Sequence, residues 1–158
     1  MSFDSKCLLY LSGRKNRQSM FPSEIKLEQL NEFSSGCMVD HLGIKYTEIG
    51  KDYLVGTMPV DQRTKQPLGL LHGGASVVLA ETLGSIAASL VLNPATHYAV
   101  GLEINANHIK SATSGFVTGT CKAVHVGKGT HVWSIEIKNE EDQLVCVSRI
   151  TMAILKRK

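Results

Sequence analysis

The chain has 158 residues, of which 43% are hydrophobic, 20% charged and 6% aromatic, with a formal net charge of +3. That length makes one domain with a core of useful size. The composition excludes a disordered chain, and no run of 18 apolar residues lacks a charge, which excludes a membrane span. The positive excess sits in residues 1–19, where Lys6, Arg14, Lys15 and Arg17 outnumber Asp4; the remainder is neutral and lacks the basic face and stacking aromatics of a nucleic-acid-binding body.

Residues 1–19 carry no hydrophobic period and read as a flexible extension ending before a second methionine, Met20, with the folded domain expected over 20–158. Pro22-Ser23 precede an amphipathic helical pattern from Glu24 to Leu30, with Ser23 as N-cap and Gly36 beyond its end. Residues 44–60 read as two strands around a Gly50-Lys51-Asp52 turn, with Leu54, Met58 and Val60 on one face. From Gly73 to Leu92 small and apolar residues run on until Asn93-Pro94. As a helix this stretch is about 30 Å long and apolar all round, as a helix wrapped by other structure would be. Four strands follow, Tyr98–Ile109, Phe116–Val126, Val132–Ile137 and Leu144–Leu155, the third alternating with Trp133, Ile135 and Ile137 on one face. Strands joined by tight turns make an antiparallel sheet. The class is therefore α+β, one sheet curled around one buried helix.

The cysteines, Cys7, Cys37, Cys121 and Cys146, form no Cys-x-x-Cys pair, and nothing at the N-terminus resembles a secretory signal. They read as reduced thiols in a cytoplasmic protein. His72, His108, His125 and His131 show no metal-ligand spacing, so no metal is expected. A Gly-x-Ser-x-Gly nucleophile elbow is absent.

The chemistry gathers where the long helix begins. Gln66-Pro67-Leu68-Gly69-Leu70-Leu71-His72-Gly73-Gly74 leads into it, and the first N–H groups of a helix have no partner inside it. With the helix dipole they favour negative charge and would stabilise an oxyanion. Glu81 is the only formal charge in the helical stretch and lies two turns on from Gly74, on the same face. A carboxylate in apolar surroundings costs several kcal/mol unless paired or protonated, and such a group serves as a base or a nucleophile. Ser85, four residues further, shares that face and can orient a water. The stretch His125-Val126-Gly127-Lys128-Gly129-Thr130 is a hairpin turn or a phosphate cradle; the glycines alone do not decide.

Taken together, Gln66, His72-Gly73-Gly74, Glu81, Ser85 and Gly101-Leu102-Glu103-Ile104-Asn105-Ala106-Asn107-His108 resemble the hotdog-fold acyl-CoA thioesterases, in the branch that serves 1,4-dihydroxy-2-naphthoyl-CoA hydrolysis in menaquinone synthesis. The resemblance runs from about Met20 to Leu155. It implies a hotdog fold, a homodimer with joined sheets commonly paired into a homotetramer, active sites at the subunit interface, and an acyl-CoA substrate with no separate cofactor. It assigns Glu81 to attack on the thioester carbonyl or to activation of water, the Gly73 N–H to the thioester oxygen, Gln66 and His72 to orienting the thioester, and Ser85 to the hydrolytic water. For the CoA nucleotide it implies Gly101, His108, Ile109, Lys110, Ser111 and the turn His125, Val126, Gly127, Lys128, Gly129 and Thr130, with Lys110 and Lys128 meeting phosphates. Thr82 and Ile86 would line the acyl pocket.

Three other readings compete. A proofreading or general acyl-CoA or acyl-carrier-protein thioesterase shares every catalytic residue. A non-catalytic acyl-CoA sensor would lack the carboxylate or carry a DNA-binding extension. Hydration of enoyl-CoA needs an Asp/His dyad that is not evident.

Overall fold

The computed structural model describes residues 19–158, so the extension expected at 1–19 lies, apart from Ser19, outside the described residues. The elements are α1 (Leu27–Phe33), α2 (Met38–His41), β1 (Lys45–Ile49), β2 (Tyr53–Pro59), α3 (Gly73–Leu90), β3 (His97–His108), β4 (Phe116–Val126), β5 (Thr130–Lys138) and β6 (Leu144–Lys156). The strands form one six-stranded sheet in the order β1-β2-β4-β5-β6-β3, every neighbour antiparallel. Because β2 lies near one edge and β3 forms the other, the chain between them must cross the sheet. Helix α3 is that crossing, and it packs against β2, β3, β4, β5 and β6.

The core between helix and sheet holds Leu54, Met58, Leu79, Leu83, Val117, Trp133, Ile135, Ile137 and Ile150, all fully buried. The expected Trp133-Ile135-Ile137 face is thus the core face. Close packing needs small residues on the helix: a Cβ at Gly84 would stand 2.4 Å from Ile150 Cγ2. Phe21 is also buried and stacks on Trp133 with ring centroids 6.3 Å apart.

Two expectations need correction. The first helix starts at Leu27, not Glu24, and its N-cap is Lys26, not Ser23. Ser23 Oγ donates to the Glu24 carboxylate instead of accepting a backbone N–H, while the Gln29 side-chain oxygen accepts the Lys26 N–H. The long helix ends at Leu90 and is not wrapped on every side. Gly74 and Ser89 are exposed, and Val77, Val78, Glu81, Ser85 and Ile86 are half-buried, so one stripe of the helix stays open. Among the described residues α3 is the helix long and apolar enough to cross a membrane, and it is instead the core helix of this sheet.

Candidate active site

The approach to α3 is tightly built. Thr64 is 1% exposed; its hydroxyl donates to the Pro59 carbonyl at 2.7 Å and accepts the Asp61 N–H at 3.1 Å. The His72 N–H donates to the Thr64 carbonyl at 2.8 Å, and Lys65 bridges to Leu71, closing residues 65–71 into a small loop. Within it Gly69 takes φ of +80°, a left-handed turn that glycine adopts without strain. Thr64→Val is expected to leave the buried Pro59 carbonyl and the half-buried Asp61 N–H without this partner and to cost about 1–3 kcal/mol, read from the urea midpoint. Beside the loop, hydrogen bonds from Arg63 hold the Asp61 carboxyl down at about 2. That depressed value means the pair supports the loop above about pH 4 and is lost as the pH falls toward 2.

Two side chains of this loop are set by their own backbone. The Gln66 side-chain oxygen accepts the Leu68 N–H, which leaves the Gln66 amide NH₂ free to donate outward. His72 is the N-cap of α3, its Nδ1 accepting the Gly74 N–H at 2.8 Å. That bond places the proton of a neutral His72 on Nε2, a donor pointing away from the helix. Since Gly74 is taken by the cap, the Gly73 N–H is the first-turn donor with no acceptor among the described residues.

Two turns along, Ser85 Oγ donates to Glu81 Oε1 at 3.1 Å. Glu81 forms no ion pair among the described residues. Strand β3 runs along the open side of α3. A bulge at Leu102 keeps Gly101 and His108 both turned to the helix. A Cβ at Gly101 would stand 3.0 Å from Glu81 Oε1, and one at Gly73 would stand 2.7 Å from His108 Nε2. Glycine at both positions lets a carboxylate and an imidazole occupy that space.

The structure therefore brings Gly73 and His108 together at the helix start, with His72 as its N-cap and Gln66 in the loop that leads to it, and Glu81, Ser85 and Gly101 together two turns on. Thr82 is buried and Ile86 half-buried beside Ser85. His108 lies over the helix N-terminus, where β3 carries it, against Gly73. Ile109, Lys110 and Ser111 continue from it and are exposed. The turn after His125 lies between β4 and β5, closed by the Gly127 N–H on the Thr130 carbonyl at 2.9 Å, with Lys128 exposed at its tip. Thr64, which fixes the loop's geometry, was not singled out from the sequence; a threonine five residues after a strand-ending proline carries no periodic signal.

An unpartnered N–H at a helix start and an unpaired carboxylate beside a hydroxyl are the parts of a hydrolase for activated acyl groups. One holds an oxyanion; the other attacks or activates water. The thioesterase superfamily profile matches residues 68–146, and the chain belongs to that superfamily. It is 55% identical over 132 residues to the 1,4-dihydroxy-2-naphthoyl-CoA hydrolase of Escherichia coli, covering 84% of this chain and 96% of that one. It is 50% identical to a proofreading thioesterase of Cronobacter sakazakii over 129 residues, 82% of this chain and 93% of that one. Among solved structures, a thioesterase from Haemophilus influenzae superposes with a TM-score of 0.84 at 46% identity, covering 87% of this chain and 95% of that one. The chain is a thioester hydrolase with the hotdog architecture expected from its motifs.

Proposed function

We propose that this enzyme hydrolyses an aryl-CoA thioester, 1,4-dihydroxy-2-naphthoyl-CoA, to the free acid and CoA, as a cytoplasmic step of menaquinone synthesis. The observation that carries the choice of acyl group is the 55% identity to the Escherichia coli hydrolase over nearly its whole length. A thioester is reactive enough for one carboxylate and preorganised N–H donors in a site shielded from bulk water.

The helix geometry supports a site shared between two copies of the chain. Gly73 and Glu81 are eight residues apart on α3, about 12 Å along its axis, more than a glutamate side chain spans. One carbonyl carbon cannot meet both within a single chain. A homodimer solves this by setting Gly73, Gln66 and His72 of one copy against Glu81 and Ser85 of the other. The edge strand supports the same reading: β3 is twelve residues long, among the described residues β6 is its only strand neighbour, and it exposes Tyr98, Val100 and Leu102. Such an edge invites pairing with another strand. Two dimers then pair into a tetramer. Gly101, His108 to Ser111 and the turn from His125 to Thr130 hold the CoA nucleotide, with Lys110 and Lys128 at its phosphates.

The 50% identity to a proofreading thioesterase favours a second reading, hydrolysis of misloaded acyl groups from a carrier protein. Presenting one aryl acid as its CoA ester and on a carrier protein separates the two. At least a tenfold higher kcat/KM for the CoA ester is the expected result; the reverse preference favours the proofreading role.

A further inference from the structure

The last turn of α3 takes no part in the chemistry above. A helix turns about 100° per residue, so Glu81, Ser85, Thr82 and Ile86 share one arc of its surface, and Ser89 falls in the middle of that arc one turn further on. It is four residues from Ser85 and three from Ile86, the spacings at which helical side chains are neighbours. Ser89 is exposed, whereas Ala87, Ala88 and Leu90 beside it are buried in the core. Its hydroxyl donates to the Ser85 carbonyl at 2.8 Å, which keeps the short side chain close to the helix. The facing strand is small as well. Gly101 is turned to Glu81, and Ala99, two residues before it on β3 and so on the same face, is half-buried against the core.

We propose that Ser89 is a specificity-determining residue: it bounds the far end of the acyl pocket, and its small size admits the second ring of a fused bicyclic acid. The proposal rests on the reading that an aryl acyl group lies along α3 from Glu81 past Thr82 and Ile86. A single ring on the thioester carbonyl ends beside those residues, and a second fused ring extends toward the next turn, where Ser89 stands. Helical side chains lean toward the helix N-terminus, so a large residue at 89 would lie over Ser85, in the place of that second ring. Specificity for ring number is thereby set apart from the chemistry at Glu81. Steady-state kinetics with 1,4-dihydroxy-2-naphthoyl-CoA and benzoyl-CoA, two rings against one, test it.

Ser89→Phe is expected to lower kcat/KM for the naphthoyl ester about tenfold or more, the scale on which a filled pocket rejects an overlapping group, with the benzoyl ester within about twofold. Ser89→Ala removes the hydroxyl without adding bulk and leaves the ratio between the two esters at its wild-type value. Should Ser89→Phe fail to fold, Ser89→Leu, a strong helix former that is also larger than serine, carries the same expectation. Equal losses with both esters, the mark of disturbed packing or assembly, would overturn the proposal. So would an unchanged naphthoyl ester, or a Ser89→Ala enzyme that loses the naphthoyl ester as far as Ser89→Phe does. A wild-type enzyme that prefers neither aryl ester to a medium-chain acyl-CoA would overturn the aryl reading itself, a result that needs no variant.

Discussion

Glu81→Gln is expected to lower kcat by about 10³-fold or more, equivalent to about 4 kcal/mol of transition-state stabilisation, while KM changes little. The amide is nearly isosteric with the carboxylate. It can still accept from Ser85 Oγ, which now donates to Glu81 Oε1 at 3.1 Å, so the helix and its packing survive. What is lost is the negative charge that attacks the carbonyl or takes a proton from water. Neither Ser85 nor His108 can replace it, because the hydroxyl has no base of its own and the imidazole lies at the helix start, against Gly73. Pre-steady-state thiol release from the aryl-CoA ester, with the melting temperature recorded alongside, measures the effect. A variant that kept most of its turnover would remove Glu81 from the mechanism.

The second large effect is expected at Gly73. Gly73→Pro deletes a single hydrogen-bond donor, the Gly73 N–H, at a place where proline suits the backbone. His72 has φ −69° and ψ 131°, an extended conformation that tolerates a following proline, and the first helical position is where proline is favoured. Loss of one oxyanion donor is expected to cost about 10²–10³ in kcat. Gly73→Ala is the control, since it adds a Cβ in the space of the His108 ring but keeps the N–H. If alanine falls as far as proline, the defect is steric and the N–H has no special part.

Much of this is legible in the sequence. Alternation in β5 and the twenty small and apolar residues after His72, charged only at Glu81, specify a sheet and a core helix, because a period of two and so long an apolar run each have one good physical solution. Strand ends fell within a residue or two. The misplaced start of α1 shows the weaker signal: Ser23 precedes an acidic residue, and a serine that can bond the neighbouring carboxylate need not cap. The open stripe on α3 was hidden because composition cannot distinguish a side packed on a sheet from a side reserved for another surface. The position of His108 depended on a bulge at Leu102, which shifts every later β3 residue by one and leaves no mark in the sequence.

The central claim is that this thioesterase is built for an aryl-CoA ester. Steady-state thiol release from 1,4-dihydroxy-2-naphthoyl-CoA, benzoyl-CoA and a medium-chain acyl-CoA tests it most directly, with wild type and Glu81→Ala side by side. The expected result is a kcat/KM at least tenfold higher for the naphthoyl ester than for the medium-chain ester, abolished in the variant. Equal, low rates with all three esters, or release that does not depend on Glu81, would contradict it.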